Sequence, residues 1–175
     1  MDADFAEVSS ITGNASDEAK MLIVKYLRSG GFFGDFIWAR LRASDTSILN
    51  STEEPFRKEG RAVFRLKVEN DMLNPVGILH GACSSLLIDS CTWLLLSAYV
   101  METTGKSRPV VSQAINTVLH SPAHLDDELK IVTTTMSVGN RSIIAKAEVW
   151  NVTHRRLVAS GTQIAMFPSP QVSKL

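Results

Sequence analysis

Three residues in one short stretch are of types that could do chemistry. His80 and Gly81 close a turn that begins Asn74-Pro75-Val76-Gly77-Ile78-Leu79. Asp89 follows nine positions after His80, among Leu86, Leu87, Ile88 and Trp93. An ionised carboxylate in apolar surroundings costs several kcal/mol unless it is paired, so Asp89 is a candidate general base. A backbone N–H at a helix start, aided by the helix dipole, is a ready donor to a developing oxyanion. Gly81 stands at that position and has no Cβ to hold a carbonyl away. Each residue also has a plain structural reading. Asp89 could pair with a serine or a backbone group, His80 could fix the turn by hydrogen bonding, and Asn74 before Pro75 could be a turn former only.

Positioning these groups requires a long element. From Ala82 to Val100 there is no Gly or Pro and much Leu, which predicts a helix on the order of 30 Å long. Its apolar residues run almost all the way round, the mark of a helix buried on most sides. Four strand-like runs follow: Pro109 to His120, Leu129 to Val138, Ser142 to Val152 and Leu157 to Phe167. Gly139-Asn140 and Thr153 to Arg156 supply turns between them. Ahead of the helix, Phe36 to Leu49 reads as a strand with Phe36, Trp38 and Arg40 to one side. A polar loop over Asn50 to Gly60 follows, and Ala62 to Val68 alternates as a second strand. Ser16 is a plausible N-cap, with Asp17 and Glu18 in the first turn and Ala19, Leu22, Ile23, Tyr26 and Leu27 at helical spacing. Residues 1–15 show no period. The pattern is α+β, a six-stranded antiparallel sheet wrapped around one long central helix. It divides as an extension with one amphipathic helix over residues 1–35, a domain over 36–168 and a tail over 169–175.

Composition narrows the classes. The 175 residues are 45% hydrophobic and 21% charged, with 18 basic and 18 acidic side chains. One substantial core is expected, and no global field draws nucleic acid. The two cysteines, Cys83 and Cys91, lie eight positions apart in the predicted helix, too far to bridge. They read as small buried hydrophobes of a reducing compartment. Met1-Asp2-Ala3-Asp4 lacks the basic-then-apolar pattern of a signal peptide. Asp89 and Ser84, Ser85 and Ser90 argue against residues 82–100 as a membrane span. No His/Cys cluster has metal-ligand spacing, and no metal or cofactor is expected.

Asn74 to Gly81 with Asp89 resembles the signature of hot-dog-fold acyl-CoA thioesterases of the phenylacetyl-CoA thioesterase and thioesterase superfamily member 2 type. Val111-Ser112-Gln113-Ala114-Ile115-Asn116, followed by Ser121-Pro122-Ala123, resembles their third strand. The family often has a second glycine where this chain has Ala82. The resemblance implies a hot-dog fold and an acyl-CoA substrate. It implies Asp89 as base or nucleophile, the Gly81 amide in an oxyanion hole, Asn74 orienting carbonyl or water, Ser112 assisting the water, and His80 in the turn. It implies a homodimer or homotetramer, with the His80-Gly81 turn of one subunit facing Asp89 and Ser112 of another. It also implies a contact for the CoA moiety on the hairpin Ser137, Val138, Gly139, Asn140, Arg141 and Ser142, where Arg141 could meet a phosphate. Ser112 could equally be an ordinary strand serine. Two other functions stay open on the same fold, an enoyl-CoA hydratase/dehydratase and a non-catalytic acyl-CoA binding protein.

Residues Ser173-Lys174-Leu175 spell the tripeptide read by the peroxisomal import receptor at a C-terminus. Pro168 and Pro170 before it interrupt any strand, which would leave the tripeptide exposed. The expectation is therefore a peroxisomal acyl-CoA thioesterase.

Overall fold

A computed structural model of the chain describes residues 2–31, 33–52, 54 and 56–168; the tripeptide Ser173 to Leu175 lies outside them. The central helix, α4 (Gly81–Thr104), ends at Gly105, whose left-handed φ of 67° lets its N–H reach the Met101 carbonyl. By length and composition it could cross a membrane, yet 72% of its most apolar window is buried within the protein. A sheet supplies most of that cover. β1 (Arg42–Asn50), β2 (Lys58–Lys67), β3 (Val111–Leu119), β4 (Glu128–Val138), β5 (Ser142–Asn151) and β6 (Arg156–Met166) pair antiparallel throughout, in the order β1-β2-β4-β5-β6-β3. This is the expected hot-dog arrangement. Small residues on the inner face of β5 and β6 (Ala145, Ala147, Ala159, Ala165) let α4 approach closely. At Gly161 a Cβ would meet two Ile88 carbons at 3.1 Å and the Asn116 carbonyl at 2.2 Å, so only glycine fits there.

The other side of α4 is covered from the N-terminus. α2 (Asp17–Ser29) starts at the expected N-cap, Ser16, whose side chain accepts from the Ala19 N–H. It buries Ala19, Ile23, Val24 and Leu27 in the main core. Residues 1–15 depart from their expectation. Asp2–Ser10 form a helix, α1, so the extension has two helices rather than one, and Val8, Ile11 and Ala15 join the same core. Residues 12–15 then run along β1: Thr12 N–H donates to Ser44 O, Thr46 N–H to Thr12 O and Ala15 N–H to Thr46 O. Asn14 completes this strap, donating to Ile48 O at 3.0 Å and accepting from Ile48 N–H at 2.8 Å. The strap occupies the backbone groups an edge strand would otherwise leave open.

The start of the first strand is also corrected. Residues 36–41 do not belong to it: Asp35–Trp38 make a single helical turn, α3, entered through Gly34 at φ 75°. Phe36, Trp38 and Arg40 alternate as a strand does, but a short apolar run does not fix its own period. β2 begins at Lys58, inside the segment read as loop.

Only the β3 edge of the sheet is uncovered among the described residues. All of β3 but Thr117 is exposed, including Val111, Ile115, Val118 and Leu119 at 43–59%.

Candidate active site

Asp89 sits where α4 crosses the start of β3 and the middle of β6. Ser112 Oγ donates to Asp89 Oδ1 at 2.8 Å. Gln163 Nε2 donates to the same oxygen and, at 2.8 Å, to Ser112 Oγ. Thr92 Oγ1, one turn along α4, lies 2.9 Å from Gln163 Oε1. The chemistry of the groups fixes the amide's orientation. An ionised carboxylate only accepts, so the NH₂ faces Asp89 and Ser112, and Oε1 faces the Thr92 hydroxyl. Two donors thus hold Oδ1. Among the described residues none reaches Oδ2, which is left to a water or a substrate. The structure therefore brings Asp89 and Ser112 together as the sequence suggested, and corrects the picture of an acid alone among apolar side chains.

Gln163 was missed. It is fully buried, on the inner face of β6 between Gly161 and Ala165, and its Asp89 contact spans 74 positions. A signal existed: an amide on the apolar face of a strand must find buried partners. Ser112 owes its aim to a bulge. The register of β3 against β6 slips between Ser112 and Ala114, leaving Gln113 as the extra residue; such bulges re-aim side chains next to active sites.

Asp89, Ser90 and Ser112 line a cavity of ≈ 420 Å³ whose walls include Tyr26, Trp38 and Trp93. Tyr26 packs edge-on against Trp93 with ring centroids 4.5 Å apart, and Trp93 Nε1 donates to Val110 O at 2.9 Å. The N-terminal extension thus contributes a wall to the acid's cavity, a role the sequence did not reveal.

The other end of α4 carries the remaining candidates. His80 is the N-cap; its Nδ1 accepts from Ala82 N–H at 3.0 Å, so the neutral ring carries its proton on Nε2. Its visible work is to hold the turn. Gly81 is the first helical residue, and among the described residues its N–H has no acceptor, as the oxyanion role needs. A Cβ there would meet Leu119 Cδ1 at 3.0 Å. Ala82 is the second helical residue and has no positive φ, so a second glycine is not required. Asn74 Oδ1 accepts from Val76 N–H at 3.1 Å and Ile78 N–H at 3.2 Å. That engages it in the turn, while its Nδ2 has no acceptor among the described residues.

Within one chain these two ends cannot act together. Eight residues of helix separate Gly81 from Asp89 by about 12 Å, too far for both to reach one carbonyl. The hairpin Ser137 to Ser142 is exposed and stands at the Asp89 end of the sheet. Ser142 pairs with Met166, and Met166 with Val111, so Ser142 lies about 10 Å from the start of β3. Arg141 is bound through its backbone, its carbonyl accepting from Phe167 N–H at 3.1 Å.

The cysteines are not nucleophile candidates. Burial pushes both the Cys83 and Cys91 thiols up, Cys91 strongly, away from the reactive thiolate. Among the described residues no group of His, Cys, Asp and Glu could hold a metal ion.

Comparison with known proteins agrees with this geometry. Residues 76–158, which contain Gly81, Asp89 and Ser112, match the model of the Thioesterase superfamily. Acyl-coenzyme A thioesterase 13 of Mus musculus is 29% identical over 101 residues, 58% of this chain and 69% of that protein. The crystal structure of zebra fish thioesterase superfamily member 2 superposes with a TM-score of 0.64 at 19% identity, covering 91% of this chain and 100% of the other. Thioesterase superfamily member 2 from Mus musculus gives a TM-score of 0.55 at 26% identity, covering 62% and 81%.

Proposed function

Residues 76–158 match the Thioesterase superfamily model, and from that match we propose that the chain belongs to this superfamily and hydrolyses acyl-CoA thioesters to free acid and CoA, using sites shared between two copies of the chain. The observation that carries this is the Asp89 carboxylate. It is held through Oδ1 by Ser112 and Gln163 and leaves Oδ2 at an apolar cavity.

Asp89 Oδ2 takes a proton from a water beside Ser112 as that water adds to the thioester carbonyl. The oxyanion is stabilised by the Gly81 N–H at the positive end of α4 of the second copy. Collapse breaks the C–S bond, the proton passes to the departing thiolate, and carboxylic acid and CoA leave.

The sharing follows from direction. Leu119, at one end of β3, packs on Gly81, while Ser112, at the other end, packs on Asp89. Two open β3 edges paired antiparallel about Ile115–Asn116 would set Ser112 opposite Leu119 of the second copy. That brings one copy's Gly81 toward the other's Asp89, twice, as two-fold symmetry requires. The pairing would also cover the exposed apolar residues of β3. The hairpin from Ser137 to Ser142 lies where it could meet CoA, with Arg141 offering a guanidinium to a phosphate.

Subunit mixing tests the whole reading. Asp89→Asn and Gly81→Val homodimers should each be inactive in thiol release. An equal mixture, re-equilibrated, should recover about a quarter of wild-type activity, because half the dimers are mixed and each has one intact site of two. No recovery from well-folded variants refutes the shared site. Unchanged turnover in Asp89→Asn removes the acid from the mechanism. Hydration of an enoyl-CoA without free thiol, or tight binding without turnover, would point to the other functions of the fold.

We further propose that Ser173-Lys174-Leu175, wherever it stands at a free C-terminus, directs the protein to the peroxisome. A fluorescent fusion ending in these residues should co-localise with a peroxisomal marker, and one lacking them should not.

A further inference from the structure

Arg28, Arg40, Arg57 and Arg61 each reach a carboxylate. Arg108, exposed on the segment that leads into β3, reaches none among the described residues. Its guanidinium lies instead over the Phe167 ring, with Cζ 4.0 Å from the centroid. Stacking occupies one flat face of the group and leaves its N–H edge free. The ring is a firm platform, because Phe167 packs against the buried cluster that contains Leu96, Val110, Ile143 and Ala165.

The surroundings say what would answer this charge. Phe167 N–H donates to Arg141 O at 3.1 Å. A second exposed arginine, also without a carboxylate among the described residues, therefore begins beside the same residue. Arg108 stands between the acid's cavity and the hairpin Ser137 to Ser142. Val110, Val111 and Ser112 line the cavity, while Met166, next to Phe167, pairs with both Val111 and Ser142. No Asp or Glu occurs from Thr103 to Leu125 or from Leu129 to Ala147, in a chain with 18 acidic and 18 basic side chains. The local excess is positive and suits an anion. A guanidinium fork fits phosphate in particular, two oxygens at a time. Four residues take the chain from Arg108 to Ser112, at most about 14 Å, which is the scale of a pantetheine arm between a thioester and its nucleotide phosphates.

We infer that Arg108, stacked on Phe167 with Arg141 alongside, binds a phosphate of the nucleotide part of acyl-CoA and so selects CoA over carriers that present the same thioester without that phosphate. This rests on the hydrolase reading above and adds the choice of carrier to it, through a residue outside the hairpin.

The test is thiol release from one acyl group, the one the wild type hydrolyses fastest from CoA, mounted on three carriers: CoA, dephospho-CoA and pantetheine. Wild type, Arg108→Gln and Arg108→Lys are compared. Arg108→Gln should lower kcat/KM on the CoA ester about tenfold, as loss of a charge-assisted hydrogen bond does, chiefly through KM. On the pantetheine ester, which has no phosphate, it should stay within about twofold of wild type. Arg108→Lys keeps the charge but not the fork, and should fall between the two on the CoA ester. The dephospho-CoA ester identifies the group bound: a loss that persists there assigns Arg108 to the diphosphate, and a loss that vanishes assigns it to the 3′-phosphate. No loss on the CoA ester, or an equal loss on the CoA and pantetheine esters, overturns the inference and leaves the hydrolase reading standing. A wild type that releases thiol from no acyl-CoA overturns both.

Discussion

Replacing Gln163 by leucine isolates the link between the core and the Asp89 carboxylate. The two side chains are similar in length, so the cavity left is small, and a buried apolar side chain is tolerated on an inner strand face. What disappears is one donor to Asp89 Oδ1 and one to Ser112 Oγ. Thr92 is not orphaned, because Ile88 O lies 2.6 Å from its hydroxyl. Asp89 keeps only Ser112, itself on an exposed edge strand. A hydrogen bond to a charged group contributes about 1.5–3 kcal/mol. If that holding is needed in the transition state, kcat should fall about tenfold to a hundredfold, with KM nearly unchanged because the cavity walls remain. Steady-state thiol release on a substrate the wild type turns over measures both constants, and thermal unfolding shows whether the fold survives. A folded Gln163→Leu enzyme within twofold of wild-type kcat would refute the claim that Gln163 positions the acid. A loss confined to KM would assign it to binding instead.

Other consequences follow from separate parts of the molecule. Gly81→Ala should lower kcat while costing little stability, since its Cβ meets only the end of the Leu119 side chain, at 3.0 Å, while intruding where the proposed mechanism brings the thioester carbonyl; equal kcat would remove Gly81 from the proposed oxyanion hole. Asn14→Ala breaks both strap bonds to Ile48 and should cost about 1–3 kcal/mol. A lower Tm and concentration-dependent association through the freed β1 edge are expected; an unchanged Tm would mean that the strap is held by its apolar residues alone. Hydrogen bonding from Ser16 holds the Glu102 carboxyl below the usual glutamate range. A depressed folded-state value stabilises above the unfolded value, and that stabilisation is lost as pH falls through the folded one. Wild-type Tm should therefore drop more steeply than that of Glu102→Gln between about pH 5 and pH 3, and parallel curves would contradict this.

The local periods of the chain were legible because they need no partner. Nineteen residues from Ala82 to Val100 without Gly or Pro spell a helix whatever lies around it, and alternation over the later runs spells strands. The turn before His80 and the acid nine positions beyond it could be picked out for the same reason, since both belong to one continuous element. Where the chain was misread, two local readings were nearly equal. Phe36 to Arg40 alternates like a strand, yet the left-handed Gly34 starts a helical turn instead. Residues 2–10 lack a helical stripe yet form a helix, with Val8 buried in the core.

The amino-acid sequence by itself determined the long apolar helix, the antiparallel strands and the placing of Asp89 and Gly81 eight residues apart on one rod. That spacing already forbids them from sharing a carbonyl within one chain. Tertiary structure alone decided the acid's partners, because Ser112 and Gln163 reach it from strands 23 and 74 positions away, and no local period encodes such a meeting. It also decided which sheet edge stays open and made the N-terminal extension part of the cavity wall. Those outcomes depend on how whole elements pack, and packing is settled only when every apolar face competes at once for the same core.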